Sequence, residues 1–155
     1  MIRFIALAAV FLSHFAFAQQ PSLSQAEYEK LMGIHKLIEE DQYKQAQALL
    51  DESILSMSPG YAKALYLQAL GHVAIEVENY ALAAKSLSSA VALNVLPPEK
   101  QLGIRRTVGQ LYCLQSRWAL CVDTLADWMK DAPQKVRSGD HLLLSQGLAK
   151  LRRWR

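Results

Sequence analysis

The 155-residue chain is poor in the residues that break or cross-link a fold, with 7 Gly, 5 Pro and 2 Cys. So little glycine and proline, beside 52% hydrophobic residues, excludes collagen-like, low-complexity and disordered classes. Two cysteines cannot build a disulfide-dense scaffold. A net charge of only +3 lacks the strong basic field typical of nucleic-acid binders, so we expect no nucleic-acid partner. The length fits one ordinary domain.

The sequence also lacks the short motifs that carry chemistry. HExxH, CxxC, Gly-x-Ser-x-Gly, P-loop and GxGxxG patterns are all missing. His35, His72 and His141 are far apart, and no histidine pair has the i,i+4 spacing of helical metal ligands. The acidic run 39–41 is typical of a solvated turn. We therefore predict a non-enzyme with no catalytic residues, no metal site and no cofactor.

Long apolar runs are confined to the first 18 residues. Arg3 is followed by an apolar stretch from Phe4 to Phe17, and Ala16-Phe17-Ala18 has the small-x-small pattern of a signal peptidase site. This stretch is shorter than the roughly 20 residues that span a bilayer, so we predict no stable membrane insertion. Residues 1–18 are predicted to be a signal peptide cleaved after Ala18, with export to the periplasm.

A repeated pattern occupies the rest of the chain. An aromatic residue is followed three positions later by a small residue in Tyr43–Ala46, Tyr80–Ala83 and Trp118–Cys121. Each copy continues with a leucine and then a further core position: Leu50 and Ser53, Leu87 and Ala90, Leu125 and Trp128. Trp154 continues the series, with aromatic spacings of 37, 38 and 36 residues. Such regularity indicates a repeat architecture.

Each copy is predicted to be two helices. Apolar residues at helical spacing precede and follow each aromatic residue. Stops at Pro59, Pro97 and Pro133 separate one helix pair from the next, because proline lacks the amide donor. A last helix is predicted over about Asp140–Arg152. No window alternates with a period of two, so we predict no strands.

These residues resemble the tetratricopeptide-repeat family. Copy two fits best, with Leu70, Gly71, Tyr80, Ala83, Leu87, Ala90 and Pro97. The resemblance implies an all-α, right-handed α-solenoid over 25–155: three helical hairpins (about 25–59, 61–97 and 98–133) plus a trailing helix in the partial repeat 134–155. Copy one departs at Ile34, where the family has Gly or Ala. Copy three departs at Trp128, where a small residue is usual, so we expect a splayed or atypical pair there.

The stretch 61–98 also resembles exported tetratricopeptide proteins associated with TonB energy-transduction systems, notably in Leu70-Gly71, Ala92-Leu93-Asn94 and Leu96-Pro97-Pro98. This resemblance implies a periplasmic protein-interaction scaffold accessory to TonB-type transport. The alternatives are a scaffold for cell-wall or outer-membrane assembly, or an accessory segment of a larger enzyme. The last helix is apolar and its repeat is half-built. We favour a truncated longer array over docking of that face on another molecule.

In the tetratricopeptide family the first helices of the hairpins line a groove. Transfer of those positions implies a partner-binding groove for a protein or peptide, possible partners including a TonB-system component. Its residues would be His35, Glu39, Gln68, His72, Arg106, Gln110, Gln146 and Lys150. They combine donors, acceptors and both charge signs, which suits a peptide held by polar contacts; each also fits a solvent-facing helical position.

Two further features of the sequence can each be interpreted in two ways. Cys113 and Cys121 flank a turn, so they form either a disulfide closing a short loop or two small core residues, and we favour the core interpretation. The basic tail 152–155 either contacts anionic lipid headgroups or begins a further helix, and we favour the helix.

Overall fold

The computed structural model describes residues 22–151, and this part of the chain is helical, without strands. The all-α class is thus confirmed for the described residues. It contains α1 (Gln25–Glu39), α2 (Tyr43–Ser56), α3 (Tyr61–Glu76), α4 (Tyr80–Ala92), α5 (Pro98–Leu114), α6 (Trp118–Asp131), a 3₁₀ turn (Pro133–Lys135) and α7 (Ser138–Lys150). The predicted signal peptide 1–18, Trp154 and the basic tail 152–155 lie outside the described residues.

The helices pack consecutively, each against the next along the chain. In addition, α1 contacts α3, and α5 contacts α7. Among the described helices, α3 and α5 have no Cα atoms within 8 Å of each other, so α4 lies between them as the connecting element. This separation leaves an opening on the side formed by the odd-numbered helices.

The turns inside the three helix pairs share one backbone geometry. Asp41, Glu78 and Ser116 have φ of 56°, 57° and 57°, in the left-handed region. The next residue in each turn donates its N–H to a carbonyl five positions back: Gln42 to Leu37 at 2.8 Å, Asn79 to Ala74 at 2.8 Å and Arg117 to Tyr112 at 2.9 Å. This is the Schellman arrangement that satisfies the last carbonyls of a helix. The recurrence at 37- and 38-residue spacing gives structural support for the repeat.

The small residues of the sequence pattern lie where two helices approach closely. Ala46, Ala83 and Cys121 are fully buried, and Leu50, Leu87 and Leu125 are buried beside them. A Cβ on Gly71 would lie 2.5 Å from Leu87 Cγ, and one on Gly109 would lie 2.7 Å from Leu125 Cδ2. Only glycine therefore permits these approaches of α3 to α4 and of α5 to α6.

The helix boundaries correct part of the sequence prediction. The aromatic residues do begin α2, α4 and α6, but α4 ends at Ala92, five residues before Pro97. Asn94, with φ of 52°, stops this helix before any proline is reached. The last helix, predicted from about Asp140, begins at Ser138, and Asp140 Oδ2 caps its first turn by accepting the Arg137 N–H at 2.9 Å.

Trp128 is accommodated within the core instead of splaying α5 and α6 at Gly109. Its side chain is only 1% exposed, and the Arg106 guanidinium lies 5.5 Å from the ring centroid. The indole Nε1 has no hydrogen-bond partner among the described residues. A bulky residue at this position therefore gives α6 a contact with α5 that a small residue could not make.

Cys113 and Cys121 form a disulfide that joins α5 to α6. Both residues are also buried, in a small cluster with Leu125 against which Leu143 of α7 packs. The two interpretations of this pair are therefore combined: the residues are bonded, and they are part of the core. The disulfide is thus present, although the sequence alone favours two unbonded core residues.

Candidate functional site

Three adjoining clefts follow the opening between the odd-numbered helices, and we call them together the trough. The first, of about 430 Å³, lies between α1 and α3 with Lys100 of α5 at its side. The second, of about 330 Å³, lies between α3 and α5 and shares Gln68, His72 and Lys100 with the first. The third, of about 410 Å³, lies beside α5, α6 and the 3₁₀ turn and shares Gly103 with the second. A Cβ on Gly103 would have no atom within 4 Å, so the trough is open there.

The first cleft brings together three of the predicted groove residues, His35 from α1 and Gln68 and His72 from α3. Leu31, Ile38, Leu65 and Ala69 supply its apolar walls. Gln68 Nε2 lies 3.4 Å from His72 Nε2, whereas Gln68 Oε1 is buried without a partner among the described residues. The cleft thus offers polar groups above an apolar surface.

Burial and nearby charges together determine the protonation state of His72. Partial desolvation in the cleft lowers the pKa of His72 below its ordinary value, and the nearby His35 and Lys100 lower it further, while Glu76 opposes them. Because the ordinary value is about 6.5, His72 is neutral at pH 7. It can then both donate and accept a hydrogen bond.

Sequence reasoning missed Glu76 and Lys100, which also line the first cleft. Glu76 had a signal: it follows His72 by four residues, as Glu39 follows His35. Lys100 lies in the first turn of α5, after the loop from α4, and its place beside α3 depends on how that loop turns. No local sequence pattern identifies such a residue.

The other predicted groove residues do not line the first cleft. Glu39 is exposed at the end of α1 and lines none of the three clefts. Gln146 and Lys150 are exposed on α7. Gly147 follows Gly109 by the same 38 residues that separate Gly109 from Gly71, so the register equivalents of Arg106 and Gln110 are Leu144 and Leu148. The partner-binding role of all eight residues stays a prediction.

Arg106 and Gln110 are engaged with α7. Arg106 Nε donates to Asp140 Oδ1 at 2.8 Å, and Gln110 Nε2 lies 3.4 Å from the same oxygen. The second oxygen, Oδ2, accepts the Arg137 N–H. Asp140 has no solvent exposure, so these contacts satisfy a buried carboxylate. They tie the start of α7 to α5.

The charge of Asp140 is preserved despite burial. Desolvation raises the pKa of Asp140, but the hydrogen bonds from Arg106, Arg137 and Gln110, with the Arg106 charge, outweigh it and leave the pKa below its ordinary value. Asp140 is therefore ionised at neutral pH. The ion pair between Arg106 and Asp140 therefore holds the Arg106 guanidinium in place at this end of the trough.

The third cleft is lined by charged groups of both signs. Arg106, Lys135 and Arg137 supply the positive charges, and Lys135 is ion-paired with Glu99. Trp128 forms part of the wall. Positive charges outnumber negative charges in the third cleft, whereas uncharged polar and apolar groups form most of the lining of the first cleft.

Residues 22–151 show neither a metal site nor a membrane-spanning helix. No group of three or more His, Cys, Asp or Glu residues in this range is placed to hold a metal ion. Nor is any helix in the same range long and apolar enough to cross a membrane.

Comparison with known proteins adds no family to these observations. No protein-family model matches the chain, and no curated protein matches it.

Proposed function

We propose that this chain is a non-catalytic scaffold that binds a protein or peptide partner in the trough. The observation that carries the proposal is the continuity of the three clefts, which share Gln68, His72, Lys100 and Gly103 along a line from α1 to the 3₁₀ turn. A long, shallow site with apolar walls and spaced polar groups suits an extended polypeptide better than a compact small molecule. A ligand N–H also offers the donor that Gln68 Oε1 lacks among the described residues.

The proposed architecture is a tetratricopeptide-type right-handed solenoid of three helical hairpins plus a trailing helix. Three features support it: the repeated turns at Asp41, Glu78 and Ser116, the buried small residues, and the glycines at 38-residue spacing. In such an array each pair of helices shares its core with its neighbours, and the first helices of the pairs present a common surface. The first two clefts of the trough lie between α1, α3 and α5, the first helices of these pairs.

We place the protein in the periplasm, as an accessory to a TonB-type transport system. The signal-peptide layout of 1–18 supports export. The Cys113–Cys121 disulfide agrees with an oxidising compartment, since such bonds are rare in the reducing cytosol. The TonB association is supported by sequence resemblance only, in residues 61–98 and in the shorter stretches 28–31 and 110–112.

Site-specific photo-crosslinking in cells tests the partner. A photoreactive amino acid replaces His72 or Lys100, both exposed in the trough, or Leu55, which is 86% exposed on α2 and serves as control. We expect the two trough positions to capture the same TonB-system protein and Leu55 to capture none of it. A crosslink of equal strength from all three positions would refute binding in the trough. Capture of a cell-wall or outer-membrane assembly protein would replace the TonB assignment.

Once the partner is identified, a double variant measures the contribution of the trough. His72→Ala with Lys100→Ala removes two exposed groups and should leave the helical content intact. If each contact contributes about 1 kcal/mol, the dissociation constant should rise by about 10- to 30-fold. Lys44→Ala with Lys85→Ala, two exposed positions on α2 and α4, is the matched control and should change it by less than about twofold.

A further inference from the structure

The guanidinium of Arg106 is held from two directions. Its Nε donates to the buried carboxylate of Asp140 at 2.8 Å, and its Cζ lies over the ring of Trp128, 5.5 Å from the ring centroid. Asp140 is itself fixed by the Arg137 N–H. A guanidinium restrained in this way loses little conformational freedom when it binds a ligand.

The outer edge of the same group has no partner among the described residues. Arg106 makes its one ion pair through Nε, and neither Nη group is hydrogen-bonded to any residue in the range 22–151. The side chain is 27% exposed and lines the third cleft of about 410 Å³. Parallel N–H groups on a guanidinium match the two oxygens of a carboxylate.

The charge balance of the cleft selects the kind of anion. Arg106, Lys135 and Arg137 are positive, while Glu99 and Asp140 are negative, which leaves one positive charge uncompensated. Lys135 is occupied by Glu99, and Arg137 has no side-chain ion pair among the described residues. A single excess charge matches a carboxylate, whereas a phosphate group carries about two negative charges at pH 7.

We propose that the third cleft is a carboxylate-binding subsite, in which Arg106 receives an acidic side chain of the polypeptide bound along the trough and Arg137 adds a second positive contact. The source of the carboxylate rests on the proposed function; the site itself does not. Trp128 and Asp140 are positioning residues, because they act on the ligand through their hold on Arg106. The bulky side chain at position 128 thereby acquires a role that a small residue could not fill.

Nuclear magnetic resonance on the purified protein tests the subsite directly. The probes are an eight-residue polyglutamate peptide, a polyglutamine peptide of the same length, and inorganic phosphate. The reporters are the Arg106 Nε–H signal and the indole N–H signal of Trp128, assigned with Arg106→Lys and Trp128→Phe. We expect both signals to shift and saturate with polyglutamate, to stay unchanged with polyglutamine, and to respond to phosphate at least tenfold more weakly.

Variants separate a specific contact from general attraction. Arg106→Lys keeps the charge but removes the planar pair of donors, and should weaken polyglutamate binding at least tenfold. Arg137→Ala, at an exposed position, should weaken it about three- to tenfold. Lys130→Ala removes an exposed positive charge of α6, and should change binding by less than twofold. If Arg106→Lys fails to fold, as judged by circular dichroism, Arg137→Ala and Lys130→Ala decide.

Three outcomes would overturn the subsite: no shift with polyglutamate, an equal shift with polyglutamine, or equal loss of binding in Arg137→Ala and Lys130→Ala. Phosphate binding as tight as that of polyglutamate would reject the carboxylate assignment. Failure of the crosslinks at His72 and Lys100 would instead reject the proposed partner binding. The two proposals can thus fail separately.

Discussion

The substitution Gly71→Ala tests the close approach of α3 to α4. The new Cβ would lie 2.5 Å from Leu87 Cγ and 2.6 Å from its Cδ2, far inside the normal separation of carbon atoms near 3.5–4.0 Å. Leu87 is 1% exposed, so it cannot move into solvent. Either the two helices separate or the leucine leaves its preferred rotamer.

The magnitude follows from two opposing terms. Overpacking of this kind costs about 1–3 kcal/mol, while alanine favours the helix over glycine by about 1 kcal/mol. Gly33→Ala is the matched control, because a Cβ at this mid-helical position of α1 would have no atom within 4 Å. It should raise the free energy of unfolding by about 0.5–1 kcal/mol. The two variants should therefore differ by about 1–3 kcal/mol, with Gly71→Ala the less stable.

Urea unfolding followed by circular dichroism at 25 °C measures both variants. In a Leu87→Ala background, which alone should cost about 2–5 kcal/mol, the added methyl group of Gly71→Ala has room and its penalty should disappear. If Gly71→Ala stabilises the protein as much as Gly33→Ala does, the helix contact is not as close as the structure has it. Equal effects in both backgrounds would identify a cause other than Leu87.

Three further predictions concern charge, the disulfide and histidine protonation. Asp140→Asn should lower the free energy of unfolding by about 2 kcal/mol at pH 7, because Arg106 loses its buried partner. Since the folded pKa of Asp140 is lowered, urea titrations should show this difference persisting above about pH 4 and shrinking as the pH falls further. Replacing Cys113 and Cys121 by alanine should cost about 2–3 kcal/mol in a urea titration, and a thiol titration of the unreduced, unfolded wild type should find no free thiol at either position. In an NMR titration, His72 should show a pKa below about 6.5, so acidification from pH 6.5 lowers its contribution to stability; a value above 6.5 would contradict the desolvated cleft.

The sequence pattern predicts the core well because its spacing encodes burial. The positions of Tyr43, Tyr80 and Trp118 mark the starts of three helices, and the small residues that follow them are fully buried. A repeat makes such positions visible, since each copy places the same residue type against the same neighbour. The prediction of an all-α fold depends on this regularity.

The pattern is least informative for α3, where buried residues cover most of the helix surface. Helix α3 buries residues all along its length, so periodicity does not tell which face meets which neighbour. Tyr66 is fully buried, and its hydroxyl donates to the Glu27 carbonyl at 2.9 Å, yet nothing in the spacing of apolar residues distinguishes it. Its partner belongs to α1, and a contact across 39 residues is invisible to a local pattern.

The candidate site could be predicted only in part, because some of its contacts join different helices. His35, Gln68 and His72 could be placed together because they share one register on equivalent helices. The engagement of Arg106 by Asp140 could not, because it depends on how the 3₁₀ turn directs the start of α7. A residue exposed in one repeat can thus be occupied in the next by the element that follows.

Side chains, not main chains, join α3 to α5. The two helices have no Cα atoms within 8 Å of each other, yet Leu67 of α3 and Ile104 of α5 belong to one buried cluster with Leu87 of α4. Because the volume of these side chains sets the spacing of α3 and α5, it also sets the width of the middle cleft, which Leu87 and Ile104 help to line. The size of the core side chains at this point therefore determines how much room a polypeptide bound in the trough has as it crosses from α3 to α5.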